Sequence, residues 1–296
     1  MKKIIVILGP TASGKSDLAI KIAKKFNGEV VSADSRQVFK GMDIGSGKVT
    51  KKEMQNVPHY LLDVVSAKKR FDVVQYQKLA LKAIKKIFDK EKTPIICGGT
   101  GFYIQALIDG ISIPSVAPDW KLRKKLEKKS NKELFKILKK LDKKRAKIIE
   151  KENPRRLIRA IEIVLKTKKT IPPVKKNPLP YPVLMLGIKK DFSLLRRLIK
   201  KRLLKRLKKG MIAEVKTLKE NGVSWKRLEE FGLEYRWLAR FLQNKISKAE
   251  MIEKLQKDIE HYAKRQMTWF KKEKRIHWIK NQKEAKELVK NFLSNK

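Results

Sequence analysis

The sequence predicts an α/β fold, a parallel sheet flanked by helices, into which an all-helical basic domain is inserted. Three observations lead there. Apolar runs of strand length alternate with helix-period segments over the first 110 residues. A glycine-rich phosphate-loop pattern follows the first of those runs directly. Between Asp119 and Lys176 the periodicity turns helical throughout, and 23 Lys+Arg stand against 7 Asp+Glu.

Ile4 to Leu8 is a continuous, mostly β-branched apolar run, which reads as a strand buried on both faces. From Asp17 to Phe26, Leu18, Ile22 and Phe26 fall at helical spacing, and Asn27-Gly28 is a helix stop. Val30-Val31 reads as a second strand, ending at Ser32-Ala33-Asp34-Ser35. A glycine-rich loop spans Gly41 to Gly47. Tyr60 to Val65 reads as a third strand, Val73 to Phe88 as a helix, and Pro94 to Cys97 as a short buried strand. Gly98-Gly99-Thr100-Gly101 opens a short helix that ends near Gly110. Pro114 and Pro118 mark the entry to the insert; Pro172, Pro173, Pro178, Pro180 and Pro182 mark its exit. Val183 to Ile188 restores a strand-like run. From Leu194 onward the pattern is helical, with breaks at Gly210, Asn221-Gly222, Gly232 and near Asn281. The expected division is a core of residues 1–112 and 187–296 around an insert of residues 113–186.

With 296 residues and 42% apolar content the chain can bury a proper core. Its formal net charge of +45 fits a polyanionic partner, most simply nucleic acid, although a lysine-rich proteome would also raise it. The single cysteine, Cys97, excludes a disulfide framework and a Cys-type zinc site, and suits a reducing cytoplasm. No apolar run approaches the ~20 residues of a membrane span. The start, MKKIIVILGP, has too short an apolar stretch for a targeting signal.

Gly9-Pro10-Thr11-Ala12-Ser13-Gly14-Lys15-Ser16 matches G-x-x-x-x-G-K-[ST], after a buried strand and before a helix, as in P-loop NTPase-like folds. Backbone N–H groups of such a loop converge on an anion. Lys15 adds a point charge, and the Ser16 hydroxyl can ligate Mg2+. The pattern does not choose between a nucleoside triphosphate and another diphosphate. A nucleotide hydrolase also needs an acid after a second buried strand, yet Pro94-Ile95-Ile96-Cys97 runs into Gly98-Gly99-Thr100. That favours a loop holding a diphosphate leaving group. Ligands of open parallel sheets bind beyond the strands' carboxyl ends. Asp34 therefore faces the Lys15 crevice, either as a proton acceptor or as the cap of an Asp-Ser turn.

Six segments together resemble the tRNA dimethylallyltransferase (tRNA isopentenyltransferase) family in its bacterial form. They are GPTASGKS at 9–16, SADSRQVFKGMDIGSGK at 32–48, PHYLLD at 58–63, GGTGFYIQAL at 98–107, NPRRLIRAIE at 153–162 and YAKRQMTWF at 262–270. The resemblance covers nearly the whole chain. It implies transfer of a dimethylallyl group from dimethylallyl diphosphate to N6 of adenine 37 in tRNA, with the base flipped into a channel and Mg2+ as cofactor. It implies that Gly9, Pro10, Thr11, Ala12, Ser13, Gly14, Lys15 and Ser16 hold the prenyl diphosphate rather than ATP. Asp34 corresponds to the general base, and Thr100 and Arg202 to residues that steady the diphosphate and the transfer geometry. Asp34, Ser35, Arg36, Gln37 and Thr100 correspond to contacts with the flipped adenine and its neighbours. Arg123, Arg155, Arg156, Leu157, Ile158 and Arg159 correspond to anticodon-loop contacts, and Lys264, Arg265 and Gln266 to the channel wall. The implied partners are the tRNA anticodon stem-loop and dimethylallyl diphosphate, for a cytoplasmic monomer with no membrane partner. Two features depart from the family. Many relatives carry Gly-Tyr-[Lys/Arg] before the last long helix, where this chain reads Phe231-Gly232-Leu233-Glu234-Tyr235-Arg236. With one cysteine it also lacks the zinc finger of extended eukaryotic relatives.

The residue chemistry agrees with these implications. Adenine N6 is a poor nucleophile, and a nearby carboxylate helps by taking its proton as the C–N bond forms. Charge building on the leaving diphosphate is met by Lys15, Mg2+, Arg202 and backbone N–H groups. A stacked base is out of reach, so flipping is needed. On a wheel of Leu194 to Lys209, Arg202 and Arg206 both fall within the apolar face, where an arginine needs an anion or snorkels to water. The family's offset of eight residues before Gly210 selects Arg202. Gln266 shares a face with Leu255, Ile259, Tyr262 and Trp269 and so needs a hydrogen-bond partner, such as a base edge. A small-molecule P-loop kinase is the alternative reading. It shares the loop and Asp34 but needs neither the basic insert nor the YAKRQ helix.

Overall fold

In the computed structural model, which describes residues 2–114, 116–173 and 175–295, the first apolar run forms β1 (Ile4–Leu8), buried at every residue. A glycine turn leads into α1 (Lys15–Lys25), then β2 (Gly28–Ser32), the short β3 (Phe39–Lys40), α2 (Lys51–Met54), β4 (His59–Tyr60) and β5 (Val65–Ser66). The expected single strand over Tyr60 to Val65 is absent. Leu61 (φ 64°) and Asp63 (φ 55°) lie in the left-handed region, which breaks an extended strand. β4 stays on the main sheet, while β5 pairs with β3 in a separate ribbon. α3 (Val73–Phe88) matches its expected span; Asp72 and Gln75 form a capping box at its start. β6 (Thr93–Gly98) and α4 (Gly101–Ile108) follow, and then the insert helices α5 (Trp120–Leu126), α6 (Asn131–Leu141), α7 (Lys143–Ile148) and α8 (Pro154–Thr167).

The core resumes with β7 (Val183–Ile188), α9 (Phe192–Lys208), α10 (Met211–Glu220), α11 (Trp225–Phe231), α12 (Leu233–Leu242), α13 (Lys248–Phe270), β8 (Ile276–Ile279) and α14 (Gln282–Ser294). The sheet runs β4-β2-β6-β1-β7-β8, and every pairing in it is parallel. β8 lies in a stretch expected to be helical. Its four residues, Ile-His-Trp-Ile, are too few to show a period, and they pair along β7. The period-2 alternation of β1 divides the core. Ile4, Val6 and Leu8 pack with Tyr76, Ile84 and Leu107 of α3 and α4. Ile5 and Ile7 pack with Leu18, Ile22, Ala285 and Val289 of α1 and α14. Each such side chain contributes about 1.5–3 kcal/mol by leaving water. A third cluster joins α9 to α13 around Leu195, Ile199, Leu203, Tyr235 and Leu255.

The chain divides into two compact units: Met1–Gly110 with Pro178–Lys296, and Ile111–Asn177. The division falls at 110 and 178 rather than at the expected 112 and 187, since β7 is a sheet strand and Ile111 bridges to Lys176 within the second unit. Side-chain caps from Asp119, Ser130, Asp142 and Asn153 start the four insert helices. Leu126, Leu134, Leu138, Leu157 and Ile161 form their shared core.

Within this unit the fully buried Glu162 gathers the arginines. Its oxygens accept from Arg123 Nε (2.8 Å) and Nη2 (2.6 Å), from the Asp119 N–H (2.6 Å), and from Arg159 Nη1 (2.5 Å). Burial alone would raise its carboxyl; the bonds from Arg123, the Asp119 N–H and Arg159 instead bring it down to about 2. A depressed acid stabilises the fold above its ordinary value near 4.5, and that contribution is lost as pH falls from there towards 2. Glu162→Gln is expected to cost about 3 kcal/mol at neutral pH, read as a lower thermal midpoint by circular dichroism, with a weaker acid-induced loss between those two pH values.

Candidate active site

The phosphate loop leaves the carboxyl end of β1 and turns through two left-handed residues, Ala12 (φ 60°) and Gly14 (φ 91°), into α1. Lys15 Nζ donates to the Pro10 carbonyl at 3.1 Å. Burial lowers the Lys15 pKa, and the nearby Arg202 lowers it further. The Ser13 hydroxyl is buried and has no hydrogen-bond partner among the described residues. A buried cation and an unused hydroxyl on one loop suit an anion. Cys97, under the loop, is held as a thiol: burial pushes it up to about 12.

Gln266 of α13 fastens this loop. Its Oε1 accepts from the Thr11 N–H, and its Nε2 donates to the Gly99 carbonyl, both at 2.8 Å. The partner that sequence reasoning required for this buried amide is therefore backbone, on the two loops that follow β1 and β6. Gly98, the last residue of β6, must be glycine, because a Cβ there would collide with the Ala33 carbonyl.

Asp34, half-buried, follows β2. Its Oδ1 accepts from the Arg36 N–H at 2.8 Å and more weakly from Gln37 N–H at 3.4 Å. That is the turn cap anticipated as one of its two readings. Oδ2 has no hydrogen-bond partner among the described residues and remains available to chemistry. Thr100, at the start of α4, accepts from the Ser35 N–H at 3.0 Å through Oγ1, joining the ends of β2 and β6. Gln37 bridges the Ser32 hydroxyl and the Gly47 carbonyl, and Arg36 Nε donates to the Phe231 carbonyl at 2.9 Å. Arg36 and Gln37 thus brace the crevice through backbone and neighbouring side chains.

Both arginines singled out on α9 point into the crevice. Arg202 reaches Thr11 Oγ1 and the Gly47 carbonyl, each at 3.5 Å, and burial with the neighbouring Arg206 lowers its pKa to about 10. Arg206 Nη1 donates to the Gly45 carbonyl and to Glu234 Oε1, both at 3.1 Å. Gly47 (φ 63°) lies so close to both guanidinium groups that a Cβ would overlap them. Glu214 holds this glycine loop, accepting from the Asp43 and Gly45 N–H groups at 2.8 and 3.0 Å and from the Tyr235 hydroxyl at 3.0 Å. A small cleft opens beside Thr11, Arg202, Arg206 and Glu234, lined also by Ala12, Ile199, Leu203 and Ile259. Lys264 and Arg265 are exposed on α13, Lys264 over the Phe192 ring at 4.5 Å. In the second unit Arg155 and Arg156 are exposed, Leu157 and Ile158 are core, and Arg123 and Arg159 are tied to Glu162.

A family model described as IPP transferase matches residues 37–273. The chain belongs to the IPP transferase family. It is 43% identical to a tRNA dimethylallyltransferase of Acetivibrio thermocellus, over 94% of this chain and 92% of that protein. It is 40% identical to one of Staphylococcus epidermidis, over 97% and 89%. The crystal structure of a tRNA isopentenylpyrophosphate transferase of Bacillus halodurans superposes with a TM-score of 0.74 at 32% identity, covering 99% of this chain and 96% of that one. A eukaryotic dimethylallyltransferase, whose structures are described as snapshots of action on tRNA, superposes at 0.76 with 28% identity, over 91% and 70%. This IPP transferase has the α/β fold of those neighbours, with the mostly parallel sheet expected from sequence.

Sequence reasoning missed two acids of the crevice, Glu214 and Glu234. Each stands on an ordinary-looking helix turn, so only an unpaired-charge argument from Arg206 could have flagged Glu234. Gln266→Leu strands the Thr11 N–H and the Gly99 carbonyl. It is expected to cost about 1–3 kcal/mol in chemical denaturation and to weaken pyrophosphate binding in calorimetry.

Proposed function

We propose that this chain transfers the dimethylallyl group of dimethylallyl diphosphate to N6 of adenine 37 in tRNA, releasing pyrophosphate. Prenyl transfer to tRNA follows from its family; the atomic reading rests on the crevice beyond β1, β2 and β6. One observation carries it: an anion cradle whose β6 ends in glycine rather than an acid, beside a carboxylate that Lys15 and Arg202 both feel.

In this reading, Lys15, Arg202, the Ser13 hydroxyl and the loop N–H groups hold the diphosphate and meet the charge that grows on it as the C–O bond breaks. Asp34 Oδ2 takes the N6 proton as the C–N bond forms. Thr100 keeps the Asp34 turn in register with the phosphate loop. Among the described residues no group of three His, Cys, Asp or Glu side chains could cage a metal ion. The Ser16 hydroxyl suits Mg2+ arriving with the diphosphate, since Mg2+ keeps its waters and takes few protein ligands. Bound there, the ion would neutralise charge on the leaving group.

Exposed Lys264 and Arg265, together with Arg155 and Arg156 of the insert, supply positive charge for the anticodon stem-loop. Ser35, Arg36 and Gln37 would frame the flipped adenine. No helix among the described residues is long and apolar enough to cross a membrane. A cytoplasmic monomer acting on tRNA fits these features.

Asp34→Asn keeps the Oδ1 acceptor of the turn but removes the base. Transfer from radiolabelled dimethylallyl diphosphate is expected to fall about 10²–10⁴-fold, with tRNA affinity within about threefold by filter binding. Near-wild-type turnover would remove Asp34 from this role, and ATP-dependent phosphorylation of a metabolite in place of prenyl transfer would overturn the whole reading. Affinity for tRNA is also expected to fall steeply between low and physiological salt.

A further inference from the structure

Glu234 lies in the segment where the chain departs from the Gly-Tyr-[Lys/Arg] pattern of many relatives. Gly232 (φ 74°) turns α11 into α12, and the first turn of α12 delivers the Glu234 carboxylate to the cleft beside the phosphate loop. There it pairs with Arg206 at 3.1 Å, each side chain only 12% exposed. Lys15 and Arg202 have no carboxylate within ion-pair distance among the described residues, whereas Arg206 has one built in. Arg202 and Arg206 line the cleft and Lys15 lies near enough to feel both; of the three cations, only Arg206 is already engaged by an acid. Burial raises the Glu234 carboxyl above its ordinary value, while Arg206 and Arg202 oppose that rise.

We propose that Glu234 is a positioning residue that sets how tightly pyrophosphate is held, by competing with the product for Arg206. The inference rests on the reading of Gly9 to Ser16 as a diphosphate cradle. Pyrophosphate, once the prenyl group has left, carries more negative charge than the donor did. A crevice with Lys15, Arg202 and Arg206 all free would retain it and slow the next turnover. An acid pre-engaged with one of the three weakens that grip and repels the product, at the cost of some donor affinity. Glu234 touches no reacting atom in this scheme; it acts through Arg206.

Glu234→Gln keeps an acceptor for Arg206 and removes the charge. Calorimetric titration with pyrophosphate is expected to show about tenfold tighter binding. The KM for dimethylallyl diphosphate should fall, and kcat should fall several-fold, while the single-turnover rate of prenyl transfer stays unchanged. A merely structural role predicts instead a lower thermal midpoint, with pyrophosphate binding unchanged or weaker, and that result overturns the proposal. Arg206→Gln should abolish the gain, so that R206Q/E234Q binds pyrophosphate no tighter than R206Q alone; a gain that survives in the double variant also overturns it. If Glu234→Gln does not fold, Glu234→Asp, which draws the charge back from Arg206, is expected to tighten binding about threefold, and unchanged binding there overturns the proposal equally. Wild-type prenyl transfer to tRNA is measured alongside. An active wild type with no tightening in the variants sinks only the Glu234 inference, whereas an inactive wild type sinks the functional reading beneath it.

Discussion

Crowded positive charge at the carboxyl end of β1 governs the rest of the first unit. Burial and the neighbouring Arg202 and Arg206 loosen the hold of Lys15 on its proton, and burial and Arg206 do the same to Arg202, in a crevice largely removed from water. Like charges in such a place cost several kcal/mol unless something answers them. The protein answers in three ways: with backbone carbonyls at Pro10, Gly45 and Gly47, with the acids Asp34 and Glu234, and with an anion-shaped loop that still has donors to give. The glycine loop at 41–47 is part of that answer. Its carbonyls face the two arginines because Glu214 draws its N–H groups to the other side.

The sheet supplies the rigidity that this arrangement needs. β1 is central, and its residues alternate between two apolar layers, so the loop it launches cannot drift without disturbing both. Gln266 adds a cross-brace from a helix far along the chain. Because it spends its amide on Thr11 and Gly99, the phosphate loop and the glycine loop after β6 move as one piece. Thr100 does the same for the turn that carries Asp34. The crevice is therefore assembled from three strand ends tied by side chains, rather than from one mobile loop.

Much of this was legible in the residues. Runs such as Ile4–Leu8 and the period of Val73–Phe88 declare their elements because burial demands those patterns. The phosphate loop is readable because anion binding restricts both its sequence and its surroundings. What escaped reading depended on tertiary partners. Nothing local announces that Leu61 and Asp63 take left-handed backbone, which splits an apparent strand, or that four residues at 276–279 find a sheet edge to pair with. Polar residues on apolar faces were recognised as needing partners, but the kind of partner is a property of the fold. Gln266 meets backbone. Arg123 and Arg159, identified with RNA contacts by resemblance, also satisfy a buried acid of their own unit, Glu162, which no periodicity marks out.

Strand order and chain order disagree widely here, and synthesis has to live with that. β1 and the phosphate loop emerge first, but β7, one of the two strands flanking β1, spans residues 183–188, and the amide that braces the loop is at residue 266. At about 5–20 residues per second, the nascent amino-terminal half waits roughly 4–17 s after β6 before β7 is made. During that wait one edge of the most apolar strand in the protein stays unpaired. A ribosome-associated chaperone that shields this edge would serve the chain for longer than most, and codon choice between residues 98 and 183 would tune the length of that vulnerable interval.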